Sequence, residues 1–321
     1  MDLYNLKKEK LTRISSESFD LEKDMQSLIE NNVDALFDLE FISTEFEVGE
    51  FRIDTLCYDN GNNNFVIIEY KKGSSYSVID QGYSYMAVLL NNKSDFVLEY
   101  IEKTGRKMKK NEVDWSQSKI IFVSPSFNSY QKNSVNFRDV PFELWEIKKF
   151  AENIISLNQH LSSSKESIIK IEKHADSVIS TVAKEVGGFE EKDHTLKSDQ
   201  SIVKTWEILK EKFSELEGVE IVPKRPYISL MYLVRNLTIA YFTFKKDRIL
   251  VTVLRGNIRV DGSKSQYYFD FDDPKGITKE RFWVWKDGSR GTVYDLTFGV
   301  NSDMEYFVFL IKQKYRNVVN R

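Results

Sequence analysis

Leu21, Met25, Leu28, Ile29, Val33 and Leu36 recur at helical spacing, which predicts an amphipathic helix over residues 20–37. The period then shortens. Extended runs at 40–47, 50–58 and 65–72 are separated by Val48-Gly49-Glu50 and by Asn60-Gly61-Asn62-Asn63-Asn64. Asn-Gly between apolar runs signals a hairpin, so three antiparallel strands are expected after the helix. The stretch YSVIDQGYSYMAVLLNN (76–92) reads as a second helix. Strands at 95–101 (DFVLEYI) and 119–124 follow, with the loop EKTGRKMKKNEVDWSQ between them. A short helix near 128–136 and a strand near 142–147 complete the unit. This order predicts an α/β (α+β) fold, a mixed sheet with helices on both faces.

Beyond residue 160 the chain turns polar. Ile168, Ile169, Ile171, Val178, Ile179 and Val182 predict a helix ending near Gly187-Gly188, and EEKDHTLKSD reads as a linker. A helix at 202–217, strands at 228–234, 238–245 and 249–255, a long loop, and a final strand and helix make a second, smaller α+β unit. The expected division is a first domain over 1–150, a helical and polar linker over 151–200, and a C-terminal domain over 201–321.

Composition narrows the picture only a little. The 321 residues are 41% hydrophobic and 30% charged, enough for two cores. No run reaches the roughly 18 apolar residues of a membrane span, and the N-terminus lacks the apolar stretch of a signal peptide. A single cysteine, Cys57, excludes an intrachain disulfide and a cysteine-based zinc cluster. A cytoplasmic protein is expected. The net charge of −3 conceals −7 over residues 1–160 and +4 over 161–321. Any contact with nucleic acid therefore has to come from local basic patches.

Candidate chemistry concentrates in the predicted meander. Side chains alternate along a strand, so Phe65, Ile67, Glu69 and Lys71 share one face, as do Arg52, Asp54, Leu56 and Tyr58. The hairpin brings Asp54 within reach of Glu69. Two carboxylates alone raise each other's pKa, and a hard divalent cation such as Mg²⁺ or Mn²⁺ resolves the repulsion. A nearby amine orients a water or meets a phosphate, which suits metal-assisted phosphodiester hydrolysis. The alternative is structural, with Lys71 serving only as the salt-bridge partner of Glu69.

RID (52–54), fourteen residues, and EYK (69–71) together resemble the D…(D/E)xK motif of the PD-(D/E)xK nuclease superfamily. The order helix, three-stranded meander, helix, strand is similar to its restriction-endonuclease-like core. The closest resemblance is to the catalytic domain of the mismatch endonuclease (NucS/EndoMS-like) family, and it covers about residues 18–148. It implies a metal-dependent deoxyribonuclease in which Asp54, Glu69 and Glu22 hold the metal and Lys71 acts at the attacking water. QGYSY resembles the Gln-x-x-x-Tyr helix of RecB-like members, which implies supporting roles for Gln81 and Tyr85. The stretch 200–321 is similar to an uncharacterised domain that recurs behind such nuclease domains.

Lys103, Arg106, Lys107, Lys109 and Lys110 form a basic loop, and Lys224 and Arg225 stand between two prolines. These are candidate contacts to a DNA backbone, DNA being favoured over RNA; a solvated loop is the alternative. Arg281, Trp283, Trp285, Lys286 and Arg290 interleave cations and indoles, which suits stacking on bases or, more commonly, burial in a core or interface. His160, His174 and His194 lack ligand spacing, and no P-loop is present. Cutting both strands with a single-site fold calls for two copies, so a homodimer is expected. Two other functions fit the same residues. One is a catalytically silent nuclease-fold module that binds nucleic acid or a protein partner. The other is a regulatory protein whose C-terminal domain senses a ligand and gates the N-terminal site.

Overall fold

The computed structural model describes residues 2–73, 78–136, 140–160, 190–224, 227–235, 237–265, 268–284 and 288–320. The helix expected inside 161–189 lies outside the described residues, as do His174, Arg225, Trp285 and Lys286. A short hairpin of β1 (Leu3–Lys7) and β2 (Lys10–Ile14) opens the chain, followed by β3 (Ser16–Glu17). The helix expected over 20–37 is broken into α1 (Glu22–Glu30) and α2 (Val33–Phe37). The break falls at Asn31 and Asn32, whose side chains donate to the Ser27 and Leu28 carbonyls at 2.8 and 2.7 Å. Asparagine side chains compete in this way for backbone partners and disfavour helix continuation.

The meander forms as expected: β4 (Glu40–Val48), β5 (Phe51–Asp59) and β6 (Asn64–Tyr70) pair antiparallel. The helices α3 (Val78–Asn91) and α4 (Lys93–Thr104) follow. Residues 95–101 are thus helical, not a strand. Phe96, Val97 and Tyr100 are buried while Leu98 is 53% exposed, the burial pattern of one helix face. A short apolar run fits either period, and here the packing decides. Then come β7 (Lys119–Ser124), α5 (Ser129–Ser134), β8 (Phe142–Phe150) and β9 (Ile154–His160). The sheet order is β3-β8-β7-β6-β5-β4, with β9 also on β8, and β6, β7 and β8 run parallel. The first sheet therefore continues ten residues past the expected boundary at 150.

Both faces of this sheet are covered, giving the mixed α+β architecture the pattern predicted. Met25, Ile29 and Val33 of α1 and α2 pack on Cys57, Val66, Ile68 and Ile121. On the other face, Met86, Leu89, Phe96 and Tyr100 of α3 and α4 pack on Phe65, Ile67, Ile120 and Phe122. Strand β6 is buried along its whole length, as a central strand between two helix layers must be.

The second unit opens with α6 (Glu191–Thr195) and α7 (Gln200–Ser214). Its antiparallel sheet comprises β10 (Val219–Pro223), β11 (Ile228–Tyr232), β12 (Leu237–Phe244), β13 (Ile249–Ile258), β14 (Lys279–Val284) and β15 (Arg290–Phe298), in the order β10-β11-β12-β13-β15-β14. Trp206 and Phe213 of α7 meet Phe242, Leu296 and residues of α8 (Met304–Val319) in a separate core. The edge strands β10 and β14 were not expected from sequence, because neither shows an alternation of buried and exposed positions. The units meet where the end of β13 reaches α2 and the β5–β6 turn. Arg259 Nε lies 3.0 Å from Asp34, Asn257 donates to the Asp38 carbonyl at 3.4 Å, and Leu254 packs against Gly61. Among the described residues no helix is long and apolar enough to cross a membrane.

Candidate functional site

Paired residues of β5 and β6 run from Asp59/Asn64 to Thr55/Ile68 and stop there. The next two positions are Asp54 and Glu69, and side chains take over from the backbone ladder. Asp54 N donates to Glu69 Oε1 at 3.2 Å, and Tyr70 N donates to Asp54 Oδ2 at 3.1 Å. Past this point the chain turns to β7, with Lys71 N donating to the Val123 carbonyl at 2.9 Å. Each carboxylate is thereby held by a backbone N–H of the opposing strand. The Lys71 ammonium stands 3.6 Å from Glu69 Oε2. From α3, Gln81 Nε2 donates to the same oxygen at 3.2 Å and lies 3.2 Å from Tyr85 Oη, which donates to the Arg52 carbonyl at 3.1 Å. Gln81 and Tyr85 reach together because they are one helical turn apart.

Glu69 is 1% exposed, whereas Asp54 is half-buried. Burial, and then the Asp54 carboxylate beside it, push the Glu69 carboxyl up to about 8, despite the opposing pull of Lys71. Burial and the neighbouring Glu69 likewise push the Tyr85 phenol up to about 12. The site as built is short of positive charge.

Beneath it lies a polar network that the sequence did not reveal. Gln26 Nε2 donates to the Asp54 carbonyl at 2.9 Å and to Thr44 Oγ1 and Glu30 Oε1, each at 3.0 Å. Glu30 also accepts from the Thr55 hydroxyl at 2.6 Å, and that hydroxyl lies 3.0 Å from Tyr70 Oη. The available signal was Gln26 itself, a buried amide beside Met25 on the inward face of α1, since buried amides require partners.

The structure thus brings Asp54, Glu69, Lys71, Gln81 and Tyr85 together. Glu22 reaches the end of β6, but its exposed carboxylate accepts from Lys72 N at 2.6 Å. Among the described residues no three Asp, Glu, His or Cys side chains converge as a metal-ligand set.

The basic loop lies elsewhere. Arg106 is half-buried in an ion pair with Glu40 and stacks 5.0 Å from the Tyr100 ring, so it serves packing rather than a phosphate. Glu40 pairs with Tyr58, four residues along β5 from Asp54, roughly 13 Å away. Lys103 pairs with Glu99 at 3.8 Å, while Lys107, Lys109 and Lys110 are exposed. Lys224 lines the cleft between the units instead. In the second unit Arg281 is held by Asp295 at 2.6 Å. His160 ends β9 and His194 lies in α6. Cys57 is buried, and burial pushes its thiol far up.

No family model matches the chain. An uncharacterised protein of Haemophilus influenzae is 35% identical over 322 aligned positions, covering 99% of this chain and 100% of that protein. The chain belongs to that protein's family. Among solved structures, an EndoMS-dsDNA2 complex is similar over 46% of this chain and 64% of its own, at 17% identity and a TM-score of 0.29. A repair endonuclease from Pyrococcus abyssi is similar over 41% and 49%, at 18% identity and a TM-score of 0.25. This family member therefore spans less than two thirds of either solved chain.

Proposed function

We propose that the protein is a divalent-metal-dependent nuclease of the PD-(D/E)xK type that hydrolyses phosphodiester bonds, with DNA as its substrate. One observation supports this above the others. Asp54 and Glu69 face each other where the β5–β6 ladder ends, each held by the other strand's backbone, with Lys71 3.6 Å from Glu69. A cation fits this donor set. Two carboxylates with a deficit of positive charge, one of them a carboxyl raised to about 8, suit Mg²⁺ or Mn²⁺, which bind through one or two carboxylates and keep waters. Asp54 and Glu69 would hold the ion, which when bound supplies Lewis-acid polarisation of the phosphodiester and a more acidic water.

The chain's own groups do the rest. Lys71, part-exposed at the rim, meets the incoming phosphate or orients the attacking water. Gln81 fixes the Glu69 carboxylate, and Tyr85 ties Gln81 to the β5 backbone. Gln26 pins the Asp54 main chain from below.

The test is cleavage of supercoiled plasmid, linear duplex, single-stranded DNA, mismatched duplex and RNA with Mg²⁺, Mn²⁺ or EDTA. Lys71→Ala is expected to lower metal-dependent cutting about 100-fold or more while leaving the fold intact. Undiminished cutting by Asp54→Asn would overturn the assignment. A silent binding module is the second possibility, favoured by the engagement of Glu22 with Lys72 N rather than with the Asp54–Glu69 pair. Such a module would bind no Mn²⁺ that Asp54→Ala and Glu69→Ala abolish.

A further inference from the structure

The chain opens with a two-stranded hairpin that neither large sheet absorbs. Isolated hairpins are marginal in water, and this one breaks three local rules. Its two-residue turn holds Lys8 and Glu9 at φ 44° and 65°, in the left-handed region that Asn-Gly ordinarily fills. Lys7 and Lys10 are register partners, and like charges directly opposite each other repel. Leu6 pairs with Leu11 on the face that also carries Tyr4, and these three are 65%, 66% and 50% exposed. Arg13 is held by Asp2 at 2.6 Å. Lys7, Lys8 and Lys10 are exposed, and among the described residues none pairs with them. Local rules broken without compensation inside the molecule mark a segment kept for what it meets outside.

The place of the hairpin in the fold says what that is. Its root is tied to the β8–β9 turn, where Ala151 N donates to the Ser15 carbonyl at 2.9 Å and Asn5 Nδ2 to the Glu152 carboxylate at 3.3 Å. Strand β8 runs parallel to β7 and β6, and Tyr70, next to Lys71, is level with Val123 and Trp145 across the sheet. From Trp145 the strand continues to Phe150. The root therefore lies roughly 20 Å from the Asp54–Glu69 pair, at the same end of the sheet. One turn of B-DNA is about 34–36 Å long, so a duplex with a phosphodiester at that pair passes the hairpin within the same turn. Residues 2–14 carry four cations against two acids, in a unit whose net charge is −7. A two-stranded ribbon is narrow enough for the major groove, which sets its lysines against phosphates and its apolar side chains against sugars and thymine methyls.

We propose that the β1–β2 hairpin is an arm that grips duplex DNA beside the Asp54–Glu69 site, with Lys7, Lys8 and Lys10 on backbone phosphates and Tyr4, Leu6 and Leu11 in the groove. The arm rests on the nuclease reading for where the duplex lies. It acts on binding, however, so arm-dependent binding and metal-dependent cleavage fail separately.

The experiment is fluorescence anisotropy of the full chain with a labelled duplex of about 30 base pairs, in EDTA so that nothing is cut, from about 50 to 200 mM salt. The triple variant Lys7→Gln, Lys8→Gln, Lys10→Gln is expected to bind at least about tenfold more weakly, with an unchanged circular dichroism spectrum. Its slope of log K against log salt is expected to be shallower by about 2–3, as the loss of three phosphate contacts requires. Leu6→Ser with Leu11→Ser is expected to weaken binding at an unchanged slope. Lys204→Gln, Lys245→Gln, Lys246→Gln removes the same charge from exposed positions of the second unit and is expected to bind as wild type does. Absence of duplex binding by the wild type overturns the arm, as does a hairpin triple variant with wild-type affinity and slope. Metal-dependent cutting in that case leaves the nuclease reading standing. Hairpin-dependent binding without any metal-dependent cutting keeps the arm and overturns the nuclease. An equal loss in the second-unit variant reduces the effect to net charge and overturns the arm. So does equally tight binding of a single strand, or a loss confined to binding of phosphatidylserine vesicles.

Discussion

Glu69 is the buried carboxylate of the Asp54–Glu69 pair, and its proton makes a stability prediction. In the folded chain it holds that proton up to about pH 8, whereas an unperturbed glutamate releases it at 4.5. Between those values the folded state binds more protons than the unfolded state, so this group's contribution to stability falls as pH rises through the window. In EDTA, the thermal midpoint of the wild type is expected to drop between about pH 5 and pH 8 more than that of Glu69→Gln, which cannot ionise. Metal and proton compete for the same carboxylate. Under the proposed function, saturating Mn²⁺ therefore raises the midpoint more at pH 8 than at pH 6; a shift of equal size at both, or none, would count against Glu69 as a ligand. The same scale shows what the strand period could reveal. Alternation was enough to place Asp54, Glu69 and Lys71 on one side, but not to show that Glu22 would be taken by Lys72 N or that Gln26 would lie under Asp54.

At the scale of elements, α3 holds Gln81 and Tyr85 against the site, and its seat on the sheet depends on Gly82. A Cβ at Gly82 would meet three atoms of the buried Phe142 ring at 2.9–3.1 Å, so the ring or the helix would have to shift. The ring is itself packed edge-on against Tyr83 at 4.9 Å and cannot swing away freely. Gly82→Ala is expected to destabilise the chain by about 1–3 kcal/mol, as overpacking does, read from the denaturant midpoint. Under the proposed function it is also expected to depress cleavage, because the helix must lift Gln81 from Glu69. A neutral Gly82→Ala would show that α3 has slack. The Gln-Gly-Tyr stretch was readable as part of a helix, but the close approach to Phe142, sixty residues away, was not. The α4 segment illustrates the same limit: its buried and exposed positions separate only once the sheet face it covers is known.

The whole molecule consists of two sheets with separate cores. Among the described residues, neither core on the first sheet includes one after 160, and the core of the second unit includes none before 200. Contacts between the units among the described residues include Arg259 with Asp34, Asn257 and Ser265 with Asp38, Tyr227 beside Asp114, and Leu254 on Gly61. A part-exposed pair such as Arg259–Asp34 contributes only about 0.2–1 kcal/mol. A fragment of residues 1–160 is therefore expected to melt cooperatively, close to the first transition of the full chain, as followed by circular dichroism. A fragment without a cooperative transition would show that the first sheet needs the second to fold. The cleft between the units belongs to this scale alone, since Asn64 and Ser118 come from one unit and Arg235 and Trp283 from the other.

By itself, the sequence determined the three-stranded meander, the helical segments directly before and after it, and the common side of Asp54, Glu69 and Lys71. Those features rest on periods of two and 3.6 residues and on a hairpin turn, all of which act between near neighbours in the chain. Tertiary structure alone decided the helical state of 95–101, the quiet edge strands β10 and β14, the Gln26 network and the cleft between the units. Each of these depends on which surface comes to lie opposite, through parallel pairing and docking between residues tens to hundreds of positions apart, and such contacts leave no local period to read.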